Sequence, residues 1–190
     1  MAVARIIYLH GFCSSPASWK ARLLGEALAA AGLGDRWVCP LLSPVPSAAI
    51  AAVEAVLTSR PGPTTLVGSS LGGYYASWLA EAHDLRAVLI NPAVEAPDRL
   101  RGLVGTHTHF HSGERFEFTR EHVVQLQAFA VPQPTPARYF LLVETGDEVL
   151  DYRHAVHRYA GCRQCVIEGG DHSFRAFSEM LPQIIEFCGL

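Results

Sequence analysis

The chain has 190 residues, 49% apolar and 17% charged, with a formal net charge of -3 at pH 7. That length suits a single compact domain spanning 1–190 around one core. The composition is too apolar for a disordered chain and lacks the basic surplus of a polyanion-binding surface, so nucleic acid is not expected as a partner.

At the amino end, "MAVARIIYLHGF" offers only "IIYLH" before a glycine, too little for a signal peptide's apolar core. No stretch reaches the ~20 apolar residues of a membrane-spanning helix. A cytoplasmic protein without membrane contact is expected. Short β-branched or leucine-rich runs follow at "RIIYLH", "WVCPLL", "TTLVGS", "AVLINPA", "YFLLVETG" and "RQCVIEGG". Each is bounded by Gly, Pro, Asn or Asp, and they read as buried parallel strands.

Helical stretches alternate with these strands: "PASWKARLLGEALAAAG", "PSAAIAAVEAVLTS", "LGGYYASWLAEAH", "DYRHAVHRYAG" and "FRAFSEMLPQIIEFCGL". The first takes Ser15 as its N-cap, Pro16 at the first helical position and Gly32 beyond its end. Its apolar stripe is Leu23, Leu24, Ala27, Leu28 and Ala31. The alternation means an α/β fold with helices on both faces of a parallel sheet. Residues 94 to 137 break the rhythm with about 40 residues rich in charge, histidine and proline, a length that marks a functional insertion, here read as a cap.

The five cysteines, Cys13, Cys39, Cys162, Cys165 and Cys188, are odd in number and scattered, which fits reduced thiols better than a disulfide framework. "CRQC" has the spacing of a redox pair but leads into a strand, whereas a redox pair opens a helix that lowers a thiol pKa.

The chemistry gathers at strand ends. Gly68, Ser69, Ser70, Leu71 and Gly72 spell G-x-S-x-G between an apolar strand and a helical run, the context that motif requires. A nucleophile on so tight a turn takes strained dihedrals, so the residues two before and two after must be small; Gly68 and Gly72 meet this for Ser70 and not for Ser69. The amide of Leu71, at the start of the helix, can donate to an oxyanion. Gly11 lets the loop after the first strand approach closely, and the amide of Phe12 is the candidate second donor.

A serine hydroxyl needs a base. Of nine histidines, His172 in "EGGDHSF" lies past the last strand on the same sheet edge as Ser70. His10 begins an H-G pair that shapes its loop, and His83, His122, His154 and His157 fall in helical stretches, where packing or solvation explains them. Asp147 follows Gly146 at the end of the fifth strand and is the candidate acid. Asp151 reads as a helix N-cap, Asp171 points away from its neighbour His172, and Glu148 ranks below all three. The order Ser70, Asp147, His172 is that of α/β-hydrolases, and all these groups fall on the carboxyl edge, where open α/β sheets bind ligands.

The blocks "YLHGF.SSP", "LVGSSLGGYYA.WL", "NPAV", "TGDEVLDYR.AV" and "CRQ.VIEGG.H.F" resemble the YqiA-type esterases of the α/β-hydrolase superfamily, in the same order and at near-identical spacing. The likeness runs nearly end to end and is weakest over residues 99 to 137. It implies an esterase or thioesterase acting on small acyl esters or thioesters, with Ser70 as nucleophile, His172 as base and Asp147 as its orienter. It also implies a three-layer α/β/α core, with six strands in the order 2-1-3-4-5-6. No cofactor is expected. A peptidase would share every one of these residues, and a non-catalytic binding module would be expected to lose one of the three.

"HTHFH" sets His107, His109 and His111 at alternate positions, where an extended segment could clasp zinc or nickel. No Asp or Cys joins them nearby and a serine hydrolase needs no metal, so a solvated polar loop is the preferred reading. Leu100, Leu103, Val104, Phe110, Phe116, Phe118, Val123, Leu126 and Phe129 give the cap apolar surface, most of it for packing onto the core. Asn91 and Pro92 end the fourth strand at the same edge and are placed at the border of the site.

Overall fold

The structure, a computed structural model, describes residues 4–190. Met1, Ala2 and Val3, part of the amino-terminal stretch read above, lie outside the described residues. Six strands form one parallel sheet: β1 (Arg5–Leu9), β2 (Trp37–Val38), β3 (Thr64–Ser69), β4 (Arg86–Ile90), β7 (Tyr139–Glu144) and β8 (Arg163–Ile167). They lie in the order β2-β1-β3-β4-β7-β8, the order expected for the six core strands.

Side-chain alternation divides the core in two. Ile7 and Leu9 of β1, Leu66 of β3, Leu89 of β4 and Leu141 of β7 pack against α2 (Pro46–Ser59), α3 (Leu71–Ala82) and α6 (Tyr152–Arg158). Ile6, Tyr8, Val67, Val88 and Leu142 face the other way, onto α1 (Trp19–Ala30) and α7 (Phe177–Cys188). Strands apolar on both faces are what covering a parallel sheet with helices on each side demands.

Several boundaries differ from the sequence reading. The α1 helix begins at Trp19 rather than Pro16, because Ser15 closes a turn of its own: its hydroxyl accepts from the Ala17 amide at 3.1 Å and its carbonyl from the Ser18 amide at 3.0 Å. The apolar stripe centres on Ala21, Leu24, Gly25 and Leu28, with Ala31 exposed. A Cβ on Gly25 would stand 2.4 Å from the Trp37 ring, so helix and edge strand meet there. Strand β2 pairs over two residues only; Pro40, which has no N–H, follows soon after.

The insertion is more ordered than a polar loop. It holds α4 (Ala96–Arg101), an antiparallel hairpin of β5 (Gly105–Thr108) and β6 (Arg115–Phe118), and α5 (Arg120–Ala128). Thr119 caps α5, accepting from the His122 amide while His122 Nδ1 accepts from the Thr119 amide. Leu100, Phe118, Val123 and Leu126 are buried, whereas Leu103, Val104 and Phe110 stay exposed.

Candidate active site

Ser70 occupies the turn between β3 and α3 with φ 55° and ψ -120°. Such a conformation costs a side-chain-bearing residue about 1–3 kcal/mol and persists only where the surroundings over-determine it. They do so here. The Ser70 amide donates to the Ile90 carbonyl at 3.0 Å, and its own carbonyl accepts from the amides of Gly73 at 3.0 Å and Ala93 at 3.1 Å. A Cβ on Gly68 would fall 2.3 Å from the Gly72 carbonyl oxygen, and one on Gly72 would fall 2.0 Å from that of Leu9. Both glycines are thus required by backbone approaching backbone.

The structure brings the three sequence-identified side chains together. His172 Nε2 lies 3.1 Å from Ser70 Oγ. His172 Nδ1 lies 2.9 and 3.0 Å from the two oxygens of Asp147. The Asp147 side chain is 2% exposed, and its Oδ1 also accepts from the amides of Val149 at 2.9 Å and Leu150 at 2.8 Å. These contacts fix the carboxylate and thereby the imidazole. The other acids weighed are engaged elsewhere. Asp151 caps α6 through the Arg153 amide, and Asp171 pairs with Arg175 at 2.6 Å. Glu148 accepts from the His172 amide at 2.9 Å, so it braces the histidine through the backbone.

Phe12 and Leu71 border the same cavity as Ser70, and among the described residues neither amide has a protein acceptor. A Cβ on Gly11 would stand 3.3 Å from Ser70 Cβ, so the loop approaches as closely as a glycine allows. His10 holds that loop from beneath: Nδ1 donates to the Gly11 carbonyl at 3.1 Å, and Nε2 accepts from the Leu42 amide at 3.1 Å. Burial lowers its pKa to about 4, which keeps the ring neutral as that pair of bonds requires. The Phe12 ring packs edge-on against Phe116 and Phe118, with centroids at 5.8 and 5.2 Å, and so docks the loop onto the hairpin.

The histidine-rich segment is the hairpin itself, which corrects the solvated-loop reading. His107 meets Phe12 edge-on at 5.1 Å and His109 lies tilted against Phe116 at 4.7 Å, while His111 lines the cavity beside Ser70. Among the described residues no three His, Cys, Asp or Glu side chains gather as a metal set. All five thiols are free. Burial pushes the Cys162 thiol up, opposite to what a redox pair needs. His83 pairs with Glu54 and His154 with Glu95, and neither histidine lines the Ser70 cavity.

Glu144 holds the histidine loop and escapes the sequence reading, and Asn91, placed there only at the border of the site, holds it too. Glu144, at the end of β7 and 1% exposed, accepts from the amides of Asp171 at 2.8 Å, Arg175 at 3.0 Å and Ala176 at 2.8 Å. Those last two bonds also explain why α7 starts at Phe177 rather than earlier. Asn91, at φ 38°, donates through Nδ2 to the carbonyls of Asp171 at 3.0 Å and His172 at 3.3 Å. A carboxylate closing the apolar run "YFLLVE" is the one signal available, since a buried charge must find donors. Glu144→Ala strands three amides, and we expect a loss of about 3 kcal/mol in urea unfolding. A loss below about 1 kcal/mol would mean that the clamp contributes little.

Among known proteins, the profile of the Uncharacterised protein family (UPF0227) matches residues 5–189. Mouse alpha/beta hydrolase domain-containing protein 10 superposes with a TM-score of 0.72 at 21% identity, covering 95% of this chain and 87% of that one. Ferulic acid-bound Est1E from Butyrivibrio proteoclasticus gives 0.75 at 15% identity, covering 98% and 88%. The monoacylglycerol lipase of Paleococcus ferrophilus gives 0.68 at 13%, covering 96% and 93%. At these identities the superpositions speak for the α/β-hydrolase fold, while the profile spans nearly the whole chain. The chain belongs to UPF0227, the family of the YqiA-type proteins that the sequence resembles, and has the α/β-hydrolase fold.

Proposed function

We propose that the protein is a serine hydrolase that cleaves acyl esters or thioesters through an acyl-enzyme. The observation that carries this reading is the unbroken chain Asp147–His172–Ser70, ending beside two amides that have no protein acceptor.

In this mechanism Ser70 Oγ attacks the carbonyl carbon while His172 Nε2 takes its proton. Asp147 accepts a hydrogen bond from the Nδ1–H of the ring, stays ionised and stabilises the imidazolium. The amides of Phe12 and Leu71 hold the oxyanion, and His172 then protonates the departing alcohol or thiol. Water, deprotonated by the same imidazole, attacks the acyl-enzyme and releases the acid. No step calls for a cofactor or metal. A small-molecule substrate in the cytoplasm fits the free thiols, and no helix among the described residues is long and apolar enough to cross a membrane.

The test is turnover of a chain-length series of p-nitrophenyl esters and acyl thioesters beside matched anilides. Esters or thioesters should be hydrolysed with an optimum set by the cavity of about 520 Å³. Turnover of anilides at rates matching the esters would favour the peptidase reading. Hydrolysis of none of them would leave the elbow as a turn without chemistry.

A further inference from the structure

Lys20, in the first turn of α1, is 8% exposed yet lies in the wall of the Ser70 cavity. Its Nζ donates to the Ser173 carbonyl at 2.7 Å and stands 5.4 Å from the Trp19 ring centroid. Among the described residues no carboxylate forms an ion pair with it. Asp171, Glu144 and Asp147 are near enough to attract it, but each is already committed: to Arg175, to three backbone amides, and to His172 with two amides. A buried ammonium with one carbonyl partner and no direct counter-ion is unusual, because desolvating a charge costs several kcal/mol unless it is paired.

The wall holds a second fixed cation. Arg99 of α4 lines the cavity from an exposed position, His111 and His172 line it too, and no Asp or Glu does. Two fixed cations, Lys20 and Arg99, in a wall without a carboxylate run against a chain of net charge -3. Ser18 Oγ, in the same wall, is buried without a hydrogen-bond partner. An ammonium with a single carbonyl partner and a hydroxyl with none, in the wall of a largely apolar cavity, suit an acceptor with negative charge.

We propose that the natural ester carries a carboxylate, on its acyl or its alcohol part, that enters this cavity and is bound by Lys20 with Ser18 and steered by Arg99. The inference rests on the hydrolase reading and names its substrate class. A carboxylate fits better than a phosphate dianion, whose greater charge and third oxygen would call for more donors than this wall supplies. Burial lowers the Lys20 pKa to about 8 while Asp171, Glu144 and Asp147 oppose the shift. Lys20 is therefore charged below that value, and the preference for carboxylate substrates should fade as pH rises through it. Taking the ratio of two substrates cancels any pH effect common to both.

The experiment compares kcat/KM for p-nitrophenyl monoesters of dicarboxylic acids with neutral esters of equal length. In parallel it compares butyrate esters of hydroxybenzoates with phenyl butyrate, which places the charge on the other side of the scissile bond. One carboxylate series should be preferred about tenfold or more. Lys20→Met should collapse that ratio towards one, and Arg99→Gln, at an exposed position that leaves the core untouched, should lower it about threefold. Neutral esters turned over as well as both charged series would overturn the proposal and leave the hydrolase reading standing, as would a preference that survives both substitutions. Turnover of no ester at all would sink the hydrolase reading, and this inference with it.

Discussion

Ser70→Ala is expected to lower kcat/KM for the best ester by roughly 10⁴- to 10⁶-fold, the scale on which removing a serine nucleophile acts. The fold should be untouched: alanine at φ 55° carries the same Cβ strain as serine, and the backbone bonds donated to Ile90 and accepted from Ala93 do not involve the hydroxyl. Residual rate would come from the Phe12 and Leu71 amides and from binding, which survive the change. Intact-mass measurement after a fluorophosphonate probe supplies a second readout, with one adduct on the wild type and none on the variant. Ser69→Ala is the matched control. Ser69 is 6% exposed at the end of β3 and has no contact with His172 Nε2, so activity should stay within a few-fold. Retention of more than a tenth of wild-type activity in Ser70→Ala, or an equal loss in Ser69→Ala, would remove Ser70 from its role.

The central strands β1, β3, β4 and β7 are legible in the sequence because they are buried on both faces, which gives each a largely apolar run such as "YFLLV". Their order is not in that pattern; it follows from the family resemblance, and the pairing of β1 with both β2 and β3 agrees with it. Element ends are read less well, since they depend on contacts distant in sequence. The late start of α7 is set by Glu144, whose carboxylate takes the amides that would otherwise open the helix.

Ser70, Asp147 and His172 are legible for a different reason. Each follows a strand end, and a parallel sheet collects every such end along one edge. The residues that brace them are not marked by position alone, because their roles depend on backbone partners far along the chain. Asn91 acts through the carbonyls of Asp171 and His172, and Lys20 through that of Ser173, partners 80 or more residues away. The hairpin escapes because "THTHF" and "RFEF" are short and mostly polar, so each strand gains its order from the other and from the Phe12 ring.

Asp147→Asn should cost about 10⁴-fold in kcat/KM near neutral pH while leaving thermal stability close to that of the wild type. The geometry dictates which way the amide faces. Asp147 Oδ1 accepts two backbone amides, from Val149 and Leu150, and only an oxygen can replace it there. The new NH₂ group must then occupy the Oδ2 position, 2.9 Å from His172 Nδ1, and donate to it. Nδ1 becomes the acceptor, so the ring's proton moves to Nε2, the nitrogen 3.1 Å from Ser70 Oγ. An imidazole with its proton on that side cannot accept one from serine. Asp147→Ala removes the acceptor of the Val149 and Leu150 amides as well and should lose both stability and activity, so the pair of variants separates orientation of the base from support of the loop. A fully active Asp147→Asn would mean that another group orients His172, and Glu148, which already holds its backbone, would be the next to replace.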